Sequence, residues 1–183
     1  VSTESKNSEN ISKTAPKNKK GKVYFDGSTV GKALTERQRA SLKGLRVIAE
    51  AMGVDIHIFE SPIVNGKRVG ENGRYDPSTK TLHIDLYAGA EAEALMIFTA
   101  AHELTHHIRE VLPEKFNILA DAIFEEYTKR YGDRVMEDLI KEKTDFLKEK
   151  GRITEDMSEE EAYDLAYEEV IADCCETMLV DSN

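Results

Sequence analysis

The 183 residues include no tryptophan, only two cysteines and four prolines. They also contain no apolar run of the roughly eighteen residues that a membrane-spanning helix needs. Each shortage excludes something. The two cysteines, Cys174 and Cys175, are adjacent and cannot staple distant segments, so a secreted disulfide framework is out and a reducing, cytoplasmic compartment is expected. Without an apolar run, or a basic-then-apolar leader, no membrane partner is expected. The chain opens on Val1 rather than Met, which leaves secretion open and fits a piece of a larger protein with other domains. Basic residues are outnumbered 25 to 35 by acidic ones, giving a net charge of −10. That sign is wrong for a protein that must neutralise phosphates, so nucleic acid is not an expected partner. The one dense basic run, Lys17 to Lys22, sits in a tail-like setting.

What is present points to one domain. With 40% hydrophobic residues there is enough apolar material for a single core. Residues 1–21 are Ser, Asn, Lys, Thr and Glu with almost nothing apolar, and read as a disordered tail or linker before a domain over 22–183. Lys22 to Gly27 reads as a short strand closed by a turn. Thr35 opens a helix whose apolar positions are Leu42, Leu45, Ile48, Ala49 and Met52, and Gly53 closes it. Val54 to Glu60 alternates as a half-buried strand. Two strands follow, Asn72 to Tyr75 and Thr81 to Leu86, joined by the Asp76-Pro77-Ser78-Thr79-Lys80 turn.

From about Ala90 the period changes to helical, with Ile97, Ala101, Leu104, Ile108 and Val111 on one stripe and Pro113 at the end. Helices over 114–131 and 134–150 are divided near Gly132 and stopped near Gly151. Ser158 and Glu161 resemble a capping box that opens a last helix running to about Val180. The expected class is α+β: a small, mostly antiparallel sheet, an active-site helix and a helical C-terminal half.

The chemistry concentrates in His102-Glu103-Leu104-Thr105-His106. Residues four apart on a helix lie one above the other, so His102 and His106 present two imidazoles to one ion. Glu103 stands where a carboxylate reaches a water on the open side of that ion. A catalytic zinc takes three protein ligands, and the last helix offers carboxylates at Glu169 and Asp173 among Val170, Ile171, Cys174, Cys175 and Met178. Such carboxylates need a partner. Glu169 is the expected third ligand, with Asp173 accepting a hydrogen bond from the far nitrogen of a ligand His. Glu168, about 100° around the helix, is the weaker alternative.

His102-Glu103-Leu104-Thr105-His106 together with Glu169-Val170-Ile171-Ala172-Asp173 resembles the zincin metallopeptidases, specifically the gluzincin pattern. Arg109 and Leu112 stand where the metzincin variant has its glycine and third His. More narrowly, the order of elements is similar to the zincin-like peptidase domains of large multidomain phage and conjugative-element proteins, and to antirepressor-cleaving peptidases. The gap between His106 and Glu169 is longer than in familiar gluzincins.

The resemblance implies Zn2+ and hydrolysis of a peptide bond by a metal-activated water, with Glu103 as general base. It further implies a peptide or protein substrate paired to an edge strand, for which Thr81 to Leu86 is the candidate. The alternative is a non-catalytic or very narrowly specific binding or scaffold module with the same fold. Tyr163, Tyr167 and Arg109 are candidates for the group that stabilises developing oxyanion charge. His57, His83 and His107 are expected to be structural or surface residues rather than ligands. The sequence leaves substrate, cleavage preference and oligomeric state open.

Overall fold

The computed structural model describes residues 20–27, 31, 33–87 and 96–181. Residues 1–19 of the expected tail, and the expected start of the active-site helix near Ala90, lie outside the described residues. Of the last two residues of the expected tail, Lys20 is exposed and Gly21 is buried. The elements run β1 (Val23–Phe25), α1 (Glu36–Met52), β2 (Asp55–Phe59), β3 (Ile63–Val64), β4 (Lys67–Arg68), β5 (Gly73–Asp76), β6 (Thr81–Asp85), α2 (Met96–Val111), α3 (Pro113–Tyr131), α4 (Val135–Glu149) and α5 (Glu159–Asp181).

Local chemistry sets several of these boundaries. Thr35 Oγ1 accepts the Gln38 N–H at 3.1 Å while the Gln38 side chain accepts the Thr35 N–H at 2.9 Å, a reciprocal cap that starts α1. Gly53, at φ 66°, ends it in the left-handed conformation. Asp76 accepts from both the backbone N–H (2.9 Å) and the hydroxyl (2.7 Å) of Ser78, folding the turn between β5 and β6. Ser158 and Glu161 cap α5 as the sequence suggests, the Glu161 carboxylate accepting the Ser158 N–H at 2.8 Å.

The main sheet has the order β1-β2-β6-β5. β1 pairs parallel with β2 and β2 parallel with β6, and only β5 and β6 are antiparallel. The expectation of a mostly antiparallel sheet is therefore corrected to a mixed one. The reason lies in the connections: α1 returns the chain so that β2 runs alongside β1, and only the tight Asp76 turn reverses direction between neighbours. The same order corrects the expected edge. Thr81–Asp85 is flanked by β2 and β5, so the free edge on that side belongs to β5.

One element escaped the sequence reading. β3 and β4 form a separate hairpin around Asn65 (φ 52°) and Gly66 (φ 77°). Asn-Gly is the preferred pair for a turn with two positive φ angles, so the signal was there. Arg68 fastens this hairpin, its guanidinium 3.5 Å over the Tyr87 ring and 3.1 Å from the Glu60 carboxylate.

Two apolar cores result. Leu42, Leu45 and Ala49 of α1 pack with Ile56, Ile58, Leu82 and Ile84 of the sheet and with Met96 and Ala100 of α2. Phe116, Ala120, Met136, Ile140, Leu147, Val170 and Ile171 of the last three helices form the second, against which Ile108 of α2 packs. α2 thus contributes to both cores, and it also carries His102, His106 and His107.

Candidate metal centre

One turn of α2 separates His102 from His106, and their ring centroids are 5.1 Å apart. α5 lies against α2 and brings Glu169, 6% exposed, to the same point. Glu169 Oε2 is 3.6 Å from His102 Nε2, and Oε1 is 3.9 Å from His106 Nε2. One ligand atom from each of the three residues falls within 4.8 Å of the others. Neighbouring ligand atoms around a tetrahedral zinc, at bonds of about 2.0–2.2 Å, stand roughly 3.3 Å apart. The two Glu169–imidazole separations lie within a few tenths of an ångström of that spacing, and two imidazoles with a carboxylate are a donor set that could hold a metal ion such as zinc.

The orientation of each ring is fixed from behind. Asp173 Oδ1 is 3.2 Å from His102 Nδ1, as expected from the sequence. Glu168, weighed as an alternative ligand, is turned instead to the back of His106, with Oε1 2.7 Å from Nδ1. Each of these carboxylates has its own cation, Lys143 on Asp173 and Arg109 on Glu168. A carboxylate behind each imidazole favours the proton on Nδ1, so that when the rings are neutral both Nε2 lone pairs face the same place.

A cleft of about 870 Å³ opens over this point, lined by Gly73, Arg74 and Tyr75 of β5 and by Arg152, Glu168 and Glu169. Glu103 faces it and is only 7% exposed. Burial pushes its carboxyl up from the ordinary range, against the pull of His102 and His106 and, more weakly, of the neighbouring Tyr75 backbone N–H. Gly73 makes this approach feasible: a Cβ there would sit 2.5 Å from Thr99 Cγ2 and 3.2 Å from Glu103 Cγ.

Without a metal, the ligands compensate one another. Burial acts to lower the His102 pKa, but Asp173 and Glu169 outweigh it and raise it to about 10. Burial acts to raise Glu169, but His102 and Arg152 hold it down at about 2. The metal-free site thus keeps a proton on an imidazole beside an ionised carboxylate.

The remaining expectations resolve individually. His107 is buried rather than on the surface, its Nδ1 3.1 Å from the Tyr75 hydroxyl, because that side of α2 packs on β5. His57 and His83 lie across from each other on paired strands with Nδ1 atoms 3.0 Å apart, a structural pair. Tyr163 and Tyr167 stack on each other, Tyr167 against Phe116, and neither lines the cleft. Arg109 lines it but is held by Glu168 and by the Asp164 carbonyl. Cys174 and Cys175 are free thiols, Cys174 buried. Sequence reasoning missed Lys143 and Arg152. Neither carries a periodic or motif signal, since one is an ordinary lysine on an amphipathic helix and the other follows a loop glycine. Comparison with family models, curated proteins and solved structures gives no match to this chain.

Proposed function

We propose that this protein is a zinc-dependent peptidase with His102, His106 and Glu169 as ligands and Glu103 as general base. The observation that carries the reading is the backing of both imidazoles. Asp173 and Glu168 turn the two Nε2 atoms onto Glu169, an arrangement that costs five ionisable groups and has little purpose without an ion. When bound, zinc supplies Lewis acidity to a water and to the substrate carbonyl.

The chain's own residues do the rest. Glu103, with its carboxyl raised by burial, accepts the proton of the attacking water and carries it to the leaving amine. The substrate binds as an added strand on β5. The Asp85 N–H bonds to the Asn72 carbonyl at 2.8 Å, so by antiparallel alternation Gly73 and Tyr75 turn their backbone groups away from β6 and toward the cleft. The Tyr75 N–H lies on the Glu103 side, and the Tyr75 carbonyl and the Gly73 groups are left for a peptide.

Glu103→Gln tests this directly. It should still take up one zinc per chain and cleave peptides of a mixed library about 10²–10⁴-fold more slowly than the parent protein. A zinc-loaded parent that cleaves no faster than the variant would instead favour the non-catalytic binding module.

A further inference from the structure

Of the cations lining the cleft, two pair with carboxylates other than the proposed ligands. Arg109 is held by Glu168 behind His106, and Arg74 pairs with Glu71 at 3.4 Å. Arg152 differs. Its Nη2 is 2.8 Å from Oε1 of Glu169, a residue proposed above as a ligand, so it neutralises the same charge that a metal ion would.

Its placement is built. Gly151, at φ 68°, ends α4 in the left-handed conformation. The backbone N–H groups of Gly151 and Arg152 are taken by the carbonyls of Lys148 (3.0 Å) and Leu147 (2.9 Å). Ile153, 6% exposed, anchors the next position in the helical core. The backbone of Arg152 is thereby fixed while its side chain remains 53% exposed, with its tip on a carboxylate that is 8% exposed. A guanidinium has five N–H donors in a planar fork, so one can stay on Glu169 while others turn to an oxygen in the cleft.

We infer that Arg152 has two successive partners: it is the counter-ion of Glu169 in the metal-free protein, and the group that donates to the anionic oxygen of a ligand once a metal is held. The inference rests on the metal-site reading above. It has two consequences that pull in opposite directions. A fixed positive charge beside Glu169 opposes a dication, so removing it should tighten metal binding. The same charge assists an oxyanion, so removing it should weaken anion binding.

Arg152→Gln and Arg152→Lys should be compared with the parent by chelator competition for Zn2+, and by titrating the Co2+-loaded proteins with acetohydroxamate while following the visible cobalt spectrum. The expected result for Arg152→Gln is zinc binding about tenfold tighter and hydroxamate binding about tenfold or more weaker. Arg152→Lys should lie between Arg152→Gln and the parent on both scales. An arginine that merely braced Glu169 would show weaker zinc binding on removal, and that outcome overturns the inference, as does unchanged hydroxamate affinity. Neither readout depends on turnover, so a parent that binds zinc and hydroxamate but cleaves no peptide would end the peptidase reading and leave the role of Arg152 standing. A parent that takes up no zinc at saturation ends both.

Discussion

If the proposed site holds a metal, His102 is the residue on which the metal and the proton compete. Its pKa is raised to about 10 in the metal-free protein, whereas ligation requires the neutral ring, so binding must expel a proton. The sign follows: below about pH 10 each unit of acidification should weaken apparent zinc affinity about tenfold, and each unit of alkalinity should restore it. Competition against a chelator between about pH 6 and pH 8 would show a slope near one, and a flat profile would contradict a protonated His102. For the metal-free fold the same shifts work as stability. The His102 contribution is complete below 6.5 and lost as pH rises through about 10. That of Glu169 is complete above 4.5 and lost as pH falls through about 2, so the pair supports the empty site best between 4.5 and 6.5. The carboxylates behind the rings are testable in the same assay. Asp173→Asn and Glu168→Gln should each reduce zinc affinity about 10–100-fold, since each releases one imidazole from its orientation.

At the scale of elements, the approach of β5 to α2 sets how closely the strand's backbone lies over Glu103. Gly73 permits that approach, and Thr99 is the residue it clears. Gly73→Ala should therefore destabilise the fold by about 1–3 kcal/mol, read from the urea midpoint, as overpacking at a close contact does. Thr99→Ala removes the clashing methyl, so the double variant should recover most of that loss, and a purely additive cycle would show that the strain arises elsewhere. This neighbourhood also shows how much the sequence discloses. The His102 to His106 spacing, the four-residue step from Glu169 to Asp173, the caps at Thr35, Gly53 and Ser158, and the turn at Asp76 are local patterns, and these were legible. The pairing order was not. Alternation in Thr81 to Leu86 identifies a strand with a buried face, but nothing local distinguishes an edge from an interior position, and β5 took the edge. Glu168 and Glu169 are adjacent acids on one helix, and only the packing of α5 on α2 assigns one to the back of His106 and the other to the cleft. Arg152 and Lys143 depend on the same packing.

On the scale of the whole molecule, the candidate metal lies where the two cores meet. Its imidazoles come from α2, which packs on the sheet, and its carboxylate from α5, which belongs to the helical core. An ion there would tie segments far apart in sequence and would bind the state in which α2 and α5 are docked. Mass action then converts occupancy into stability. With free zinc at 100 times its dissociation constant, the gain is about 2.7 kcal/mol. For a domain of this size that corresponds to a rise in Tm of roughly 5–10 °C. Thermal unfolding with zinc and with excess chelator should show that difference in the parent protein and lose it in His106→Ala. Glu103→Gln should keep it, because Glu103 faces the site without being one of its three donors. A shift that survived His106→Ala would place the bound metal elsewhere on the surface. Loss of the shift in Glu103→Gln would make Glu103 a ligand rather than a base. The stability measurement therefore separates the ligands from the base without a substrate.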